Sequence, residues 1–295
     1  VGYKHNKRST EALAYSLKIK DLTEIKELTE LAIVNVAREI ARGAGTTHEK
    51  FERIVTLYNN QVILSHRTSQ SILLQQYSTP APIAYLMGVF SGLPHLHKTG
   101  GIAFEPSAGN GLLTIAAKPE RVYVNEIDHL RNRNLKTQGF ANVSDFDATD
   151  PFNYVDGEGT YDAVLTNPPF GVLDKPVDFH SFPIRVLDHL MALRALEAMA
   201  DNGKAAIIIG GHTRWDKLGR IEKGKNRIFF NYLYRYYHVA DVIQIDGHKL
   251  YTRQGTGFPV RLILIDGRKE TPDGVAPVYN SERDNVIHSF AALYE

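Results

Sequence analysis

The chain has 295 residues, 43% of them hydrophobic, which suffices for the core of one large α/β domain or two ordinary ones and argues against disorder. Cysteine is absent, which excludes disulfides, thiolate zinc sites and cysteine nucleophiles and fits a reducing compartment. The net charge of +1 leaves a polyanionic partner open, because basic residues can cluster on one face.

No apolar run approaches the roughly 20 residues that a membrane-spanning helix requires. Residues 1–10 are basic and polar, unlike a secretory signal. We therefore expect a soluble, cytoplasmic protein without a membrane partner. The chain starts with Val1 and a helical pattern runs to its end, as a piece of a longer polypeptide would also show.

A helical region is predicted for residues 1–70. Apolar residues recur at three-to-four spacing over 25–40, and Gly43 and Gly45 end that pattern. A second helix is predicted over 47–64, with its aromatic and aliphatic residues on one stripe. These two helices are expected to precede a domain in which strands alternate with helices.

That domain, residues 71–295, is predicted to be α/β. Short β-rich runs alternate with helices, which predicts parallel strands, right-handed crossovers and helices on both faces of the sheet. Ligands of such sheets bind at the carboxyl ends of the strands. The predicted strands are 102–105, 121–125, 143–146, 161–165, 205–210, 239–245 and 260–265.

Three features of the carboxyl-terminal half complete this prediction. A helix is expected over 184–199. A glycine-rich turn at 247–257 separates the final two strands, so one antiparallel strand is expected near the sheet edge. A last helix is expected over 281–294, with Ser281 as its N-cap.

A glycine-rich turn follows the first predicted strand. Gly109 and Gly111 allow the backbone to turn sharply and to approach a ligand where a Cβ would clash. Thr114 stands where a dinucleotide-binding turn has its third glycine, which disfavours a pyrophosphate ligand. Two glycines alone fit an ordinary strand-to-helix turn equally well.

Acidic residues end the next two strands. Glu126 is placed to accept hydrogen bonds from both hydroxyls of a ribose, because a carboxylate is a bidentate acceptor. Asp147 is placed to accept from an adenine amino group, although an ordinary loop acid explains it equally well. Asp128 is interpreted as a helix cap. The turn and the ribose acid together predict a nucleoside cofactor.

The segment Asn167-Pro168-Pro169-Phe170 follows the predicted strand 161–165 and is the most informative in the chain. Two prolines end the strand and hold the backbone extended, so its carbonyl groups stay open. The Asn167 side chain and the Pro168 carbonyl then offer two acceptors to one planar amino group. Phe170 offers a ring on which a base stacks, worth roughly 1–3 kcal/mol. The alternative is an ordinary strand end followed by a turn.

These segments, in this order, resemble the DNA methyltransferases that methylate amino groups and whose cofactor motifs precede the catalytic motif. The resemblance covers about residues 72–266 and rests on segments 76–80, 105–111 and 167–170. The helical region before them is similar to that of the modification subunits of type I restriction systems.

The resemblance implies a class I methyltransferase fold, which is Rossmann-like and has a mostly parallel sheet of seven strands, the last antiparallel. It implies S-adenosylmethionine as the cofactor, with Thr79 and Glu105 at its methionine end and Ile127 packed on its adenine ring. The cofactor-binding residues expected on this basis are Thr79, Glu105, Pro106, Ser107, Gly109, Gly111, Glu126, Ile127 and Asp147.

The implied activity is methyl transfer to the N6 amino group of adenine in DNA. The adenine is flipped out of the duplex, and its nitrogen displaces the methyl group in line, accelerated by positioning and electrostatics. Neither a metal ion nor a covalent intermediate is required, and no metal site is expected. The expected catalytic residues are Asn167, Pro168, Pro169 and Phe170.

Other functions stay open at this stage. A similar clamp serves methyltransferases acting on guanine N2 in RNA or on protein glutamine, and a DNA-binding subunit with an inactive site is a further alternative. Segment 76–80 favours the DNA enzyme. The sequence shows no region long enough for target recognition, so specificity would come from the helical region, a further domain or a partner subunit. Otherwise the enzyme would be relaxed in its choice of target. Asn110 departs from the small residue that is common at its position.

A basic stretch lies between Lys204 and Arg235, where eight basic residues face only Asp216 and Glu222. Because it follows a strand end on the ligand side, contact with DNA phosphates is favoured. A solvated helix face is the alternative.

Overall fold

The computed structural model describes residues 5–64, 78–151 and 160–295. Its amino-terminal part is three helices, α1 (Lys7–Ser16), α2 (Leu22–Arg42) and α3 (Thr47–Asn60). The two predicted helices are confirmed, and α3 ends four residues before its predicted end. The predicted domain boundary between residues 70 and 71 lies outside the described residues.

Local chemistry explains where these helices begin. The Asp21 side chain accepts hydrogen bonds from the first free N–H groups of α2. Thr46 and Glu49 form a reciprocal capping box at the start of α3. Within the described ranges, every helix is too short or too polar to cross a membrane.

Seven further α-helices lie in the described residues that follow, and several are only one turn long. They are α4 (Ala81–Phe90), α5 (Leu96–Thr99), α6 (His129–Lys136), α7 (Leu187–Glu197), α8 (Lys225–Tyr236), α9 (Gly247–Leu250) and α10 (Phe290–Tyr294). The strands are β1 (Ala103–Glu105), β2 (Val122–Asn125), β3 (Asn142–Ser144), β4 (Tyr161–Thr166), β5 (Val172–Phe179), β6 (Phe182–Val186), β7 (Met199–Gly210), β8 (Tyr237–Ile245), β9 (Val260–Arg268) and β10 (Val286–Ile287).

The main sheet has the strand order β10-β8-β9-β7-β4-β1-β2-β3. Every neighbouring pair is parallel except those of β9, which runs antiparallel to both β7 and β8. The predicted α/β class and mostly parallel sheet are confirmed. The described sheet has eight strands rather than the predicted seven, because β10 pairs with β8 at one edge.

Three sequence predictions about elements were wrong. The helix predicted over 184–199 begins only at Leu187, because the preceding residues pair with β5 in a two-stranded antiparallel sheet. The strand predicted to begin at 205 begins at Met199, with a register shift against β4. The predicted last helix is reduced to α10, capped by Ser289 rather than Ser281, because β10 uses part of its range.

The core lies on both faces of the main sheet. Helices α2, α3 and α4 cover one face, and α7 and α8 cover the other. The central strand β4 is buried at five of its six positions, as expected when helices cover both faces. This arrangement brings the carboxyl ends of β1, β2, β3 and β4 to one edge, where the predicted site residues lie.

Candidate functional site

A cleft of about 270 Å³ opens at the carboxyl ends of β1 to β4. Ten of the residues predicted for the site line it, although they come from distant parts of the chain. They are Thr79, Glu105, Pro106, Ser107, Gly109, Glu126, Ile127, Asp147, Asn167 and Pro169. The remaining three predicted residues, Gly111, Pro168 and Phe170, are not part of this lining.

The glycine-rich turn needs its glycines. Gly109 and Gly111 have φ angles of +57° and +88°, which other residues rarely adopt. A Cβ on Gly111 would also lie 3.1 Å from Phe140. The chain then enters a single 3-10 turn, Leu112–Thr114, rather than an α-helix. Arg38 of α2 donates to the Gly111 carbonyl at 3.4 Å and so holds the turn from behind.

Asn110 is fixed in a buried polar network. Its amide nitrogen donates to Glu27 of α2 at 2.8 Å, and its amide oxygen accepts from Asn134 of α6 at 2.8 Å. Glu27 in turn pairs with Arg131, whose Nε lies 2.8 Å away. A small residue at position 110 would break this network, so the asparagine has a structural reason here.

Glu126 organises the turn through both of its oxygens. Oε2 accepts from the Gly109 N–H at 2.7 Å, and Oε1 accepts from the Asp128 N–H at 2.8 Å. Burial raises the pKa of Glu126, while Arg131 and these two bonds oppose the rise. Each carboxylate oxygen has two lone pairs, so ribose hydroxyls can still bind beside the backbone donors. The Asp128 side chain caps α6, as predicted.

Glu105 lies at the bottom of the cleft with 1% of its surface exposed. Its Oε2 has no hydrogen-bond partner in the part of the chain that the structure describes. Burial, and then the charge of Glu126, raise the pKa of Glu105 well above its ordinary value, and Arg38 only partly opposes this. The raised pKa favours the protonated form of Glu105, and a cationic ligand would favour its ionised form.

Ile127 and Asp147 line the cleft from the ends of β2 and β3. Ile127 is 55% exposed, so an apolar surface lies open beside the acids. Asp147 accepts two hydrogen bonds from Thr149, both through Oδ1, which leaves Oδ2 available to a ligand. An apolar wall next to an acceptor suits a purine ring with an exocyclic amino group.

Asn167 is oriented by Thr79. Its amide nitrogen donates to the Thr79 hydroxyl at 3.0 Å, which directs the amide oxygen to the opposite side. Thr79 is 3% exposed and also lines the cleft, at the start of α4. Gln76 and Tyr77, the first two residues of the predicted segment 76–80, lie outside the described residues.

Phe170 packs against Phe258 and Gly210 instead of lining the cleft. Its ring lies 5.7 Å from the ring of Phe258, and a Cβ on Gly210 would lie 3.2 Å from it. Pro168 is buried. Stacking of a base on Phe170 therefore stays a prediction.

Two buried charged residues behind this segment were not predicted. Asp188 of α7 accepts from the Gly210 N–H at 3.0 Å. Burial raises the pKa of Asp188, opposed by backbone hydrogen bonds that include Gly171. Arg261 of β9 donates to the Gly210 carbonyl at 2.7 Å. No local signal in the sequence marked them, because the same helix and strand carry further charged residues.

Three residues of the basic stretch form ion pairs within the protein. Lys204 pairs with Asp266 at 3.2 Å, and both Arg220 and Arg227 pair with Asp216. Five others are exposed, namely Arg214, Lys217, Lys223, Lys225 and Arg235. Contact between these five and DNA phosphates stays a prediction. Within residues 5–64, 78–151 and 160–295, no group of three potential metal ligands is found.

The cleft fits S-adenosylmethionine by its chemistry. Glu126 suits a ribose, Ile127 and Asp147 suit an adenine, and the unpartnered oxygen of Glu105 suits a positive charge. These residues meet in one cleft, as a nucleoside with a cationic tail requires.

Comparison with solved structures defines the class of fold. A protein from Listeria monocytogenes, provisionally described as a class I S-adenosylmethionine-dependent methyltransferase, is similar with a TM-score of 0.52 and 11% identity over 82% of this chain and 74% of that one. The fold of the chain is therefore that of the class I methyltransferases. No protein-family model and no curated protein matches the sequence.

Two further solved structures share this fold. The type I restriction-modification methyltransferase subunit from Streptococcus thermophilus has a TM-score of 0.51 and 18% identity, over 66% of this chain and 45% of that one. A protein from Vibrio vulnificus YJ016, provisionally described as the modification subunit of a type I restriction enzyme, has a TM-score of 0.51 and 13% identity, over 83% and 55%. The chain thus spans about half the length of these two proteins.

Proposed function

We propose that the chain is the catalytic part of a methyltransferase that transfers a methyl group from S-adenosylmethionine to the N6 amino group of adenine in DNA. The observation that carries the proposal is the position of Asn167. It lies on the wall of an acid-lined cleft suited to a nucleoside, with its amide fixed by Thr79. The residues are therefore arranged to hold an amino group next to the cofactor.

The residues act by binding and orientation. Glu126 and Asp147 hold the nucleoside of the cofactor, and Glu105 faces its charged end. When bound, the cofactor supplies an electrophilic methyl group on a sulfonium. The Asn167 amide oxygen and the Pro168 carbonyl accept the two protons of the adenine amino group. These hydrogen bonds favour a pyramidal nitrogen and direct its lone pair towards the methyl group.

Two further observations support DNA as the substrate. Segment 167–170 follows the cofactor residues in the order of the amino-methylating DNA enzymes, and two solved structures of the same fold are described as restriction-modification subunits. The five exposed basic residues of the stretch 204–235 lie beyond the end of β7 and are available to phosphates. Target recognition, in this proposal, comes from a further domain or a partner subunit.

The test is transfer of a labelled methyl group to different polymers. The chain is incubated with labelled S-adenosylmethionine and, in parallel, with unmethylated DNA, ribosomal RNA and a protein extract. We expect label in DNA, none with Asn167→Ala, and an unchanged amount with Asn202→Ala, which alters an exposed residue of the same type. Label confined to RNA or protein would instead support guanine or glutamine methylation, and no label in any polymer would support an inactive subunit.

A further inference from the structure

The cleft has a second buried acid, and this one comes from the amino-terminal helices. Glu30 of α2 lines the cleft and is 3% exposed. Its Oε2 has no hydrogen-bond partner within the described ranges. The side chain is also hydrogen-bonded to Ser78.

These contacts place Glu30 at the Asn167 end of the cleft. Ser78 precedes Thr79 in the chain, and Thr79 holds the Asn167 amide at 3.0 Å. Glu105 lines the same cleft and also carries an oxygen without a recorded partner in the described structure. Two buried carboxyl groups thus offer free acceptor positions to one ligand.

Among the described residues, no lysine, arginine or histidine forms an ion pair with Glu30. Arg131 lines the cleft too, but its Nε and Nη2 donate to Glu27, at 2.8 and 3.3 Å. Burial and the neighbouring Glu27 raise the pKa of Glu30, which Arg131 and Lys26 only partly oppose. A buried acceptor without a partner is unfavourable, so a ligand that donates hydrogen bonds and carries positive charge would relieve this cost.

The cofactor has two positive groups, and only one of them donates. A sulfonium has no proton to give, whereas an ammonium group carries three N–H donors. The ammonium group can therefore donate a short, charge-assisted hydrogen bond to an acceptor that lacks a partner, whereas the sulfonium cannot.

We propose that Glu30 binds the α-ammonium group in the amino-acid tail of S-adenosylmethionine, together with Glu105. The helical region preceding the sheet then forms part of the cofactor site. This inference rests on the proposed function for the identity of the cofactor. The inference adds Glu30 of α2 to the cofactor-binding residues and assigns it to the α-ammonium group of the ligand.

The test pairs a change in the protein with a change in the ligand. Calorimetry measures the binding of S-adenosylhomocysteine and of its deaminated analogue, which keeps the carboxylate and lacks the ammonium group. We expect Glu30→Gln to weaken binding of S-adenosylhomocysteine at least tenfold and to leave binding of the deaminated analogue unchanged or tighter. Glu39→Gln, an exposed change of the same type on α2, should alter neither.

A second variant, Glu30→Asp, keeps the proposal testable if Glu30→Gln does not fold. Glu30→Asp keeps the charge but withdraws the carboxylate by one methylene, so we expect a smaller loss for S-adenosylhomocysteine and the same selectivity between ligands. Binding equal to wild type in both variants, or equal losses for both ligands, would overturn the role of Glu30 and leave the proposed function intact. Absence of any binding by the wild-type chain would overturn both.

Discussion

The two walls of the cleft are held in opposite ways. The acidic wall, formed by Glu30, Glu105 and Glu126, contains buried carboxyl groups of raised pKa, and two of them have oxygens without recorded partners in the described structure. The amide wall, formed by Thr79 and Asn167, is instead fixed by a hydrogen bond of 3.0 Å between these two side chains, and Asp188 binds the Gly210 N–H behind it. The acidic wall is therefore prepared for a ligand at a cost in stability, whereas the amide wall is already set in position.

This difference predicts that changes in the amide wall affect turnover and changes in the acidic wall affect cofactor binding. The largest effect is expected for Asn167→Ala, which removes one of two acceptors for the target amino group. We expect kcat to fall by at least about 100-fold, by analogy with the loss of one donor from an oxyanion hole. The dissociation constant of S-adenosylhomocysteine, measured by calorimetry, should change less than about threefold. Unchanged turnover would refute the role of Asn167.

Asp188→Asn should disturb the amide wall indirectly, because Asp188 lies behind it and does not line the cleft. An amide in place of the carboxylate sets an NH2 group against the N–H donors of the backbone and leaves Arg261 without its acidic neighbour. We expect a loss of about 1–3 kcal/mol in the free energy of unfolding, together with a lower kcat and an unchanged cofactor affinity. Chemical denaturation and initial rates measure these, with the exposed Asp174→Asn as the control. A weaker cofactor with normal turnover would contradict the assignment of Asp188 to the amide wall.

Glu126→Ala should affect the acidic wall. It removes the acceptor of the Gly109 N–H and the expected partner of the ribose. We expect cofactor affinity to fall at least tenfold, or about 1.4 kcal/mol, as measured by calorimetry. Glu120→Ala, an exposed change of the same type, serves as the control. If Glu126→Ala binds as tightly as wild type, the cofactor lies elsewhere.

Glu105→Gln should have the smallest effect. Unlike Asp188→Asn, it should raise the stability of the folded protein. The pKa of Glu105 is raised in the folded protein, so its contribution to stability is complete below its ordinary value of 4.5 and is lost as the pH rises through the folded pKa. Glutamine cannot ionise, so the ligand-free variant should melt a few degrees higher at neutral pH and show a flatter dependence of Tm on pH. Melting curves between pH 4 and pH 8 measure this. An equal or lower Tm at neutral pH would contradict the described electrostatics of the acidic wall.

Much of the site was predictable because its signals are local. The glycine-rich turn, Glu126 and segment 167–170 each end a strand, and the alternation of strands and helices brings strand ends to one edge. Glu30 and Asp188 gave no such signal. Each is an acidic residue in a helix that carries other acidic residues, and only tertiary contacts place it in or behind the cleft.

The elements that were missed lacked local signals as well. His180 and Ser181 form the turn between β5 and β6 with φ angles of +50° and +69°. Turns of this kind are usually marked by Asn-Gly or Asp-Gly, so the hairpin was not recognised. The strand β10 has two residues and exists through its pairing with β8. Its position could not be found from periodicity.

The most direct measurement is the identity of the methylated base. DNA treated with the chain and S-adenosylmethionine is digested to nucleosides, which are separated and identified by mass spectrometry. The account predicts N6-methyladenine from wild type and none from Asn167→Ala. Methylation of another base, or N6-methyladenine made equally by the variant, would contradict the central claim that Asn167 holds the adenine amino group.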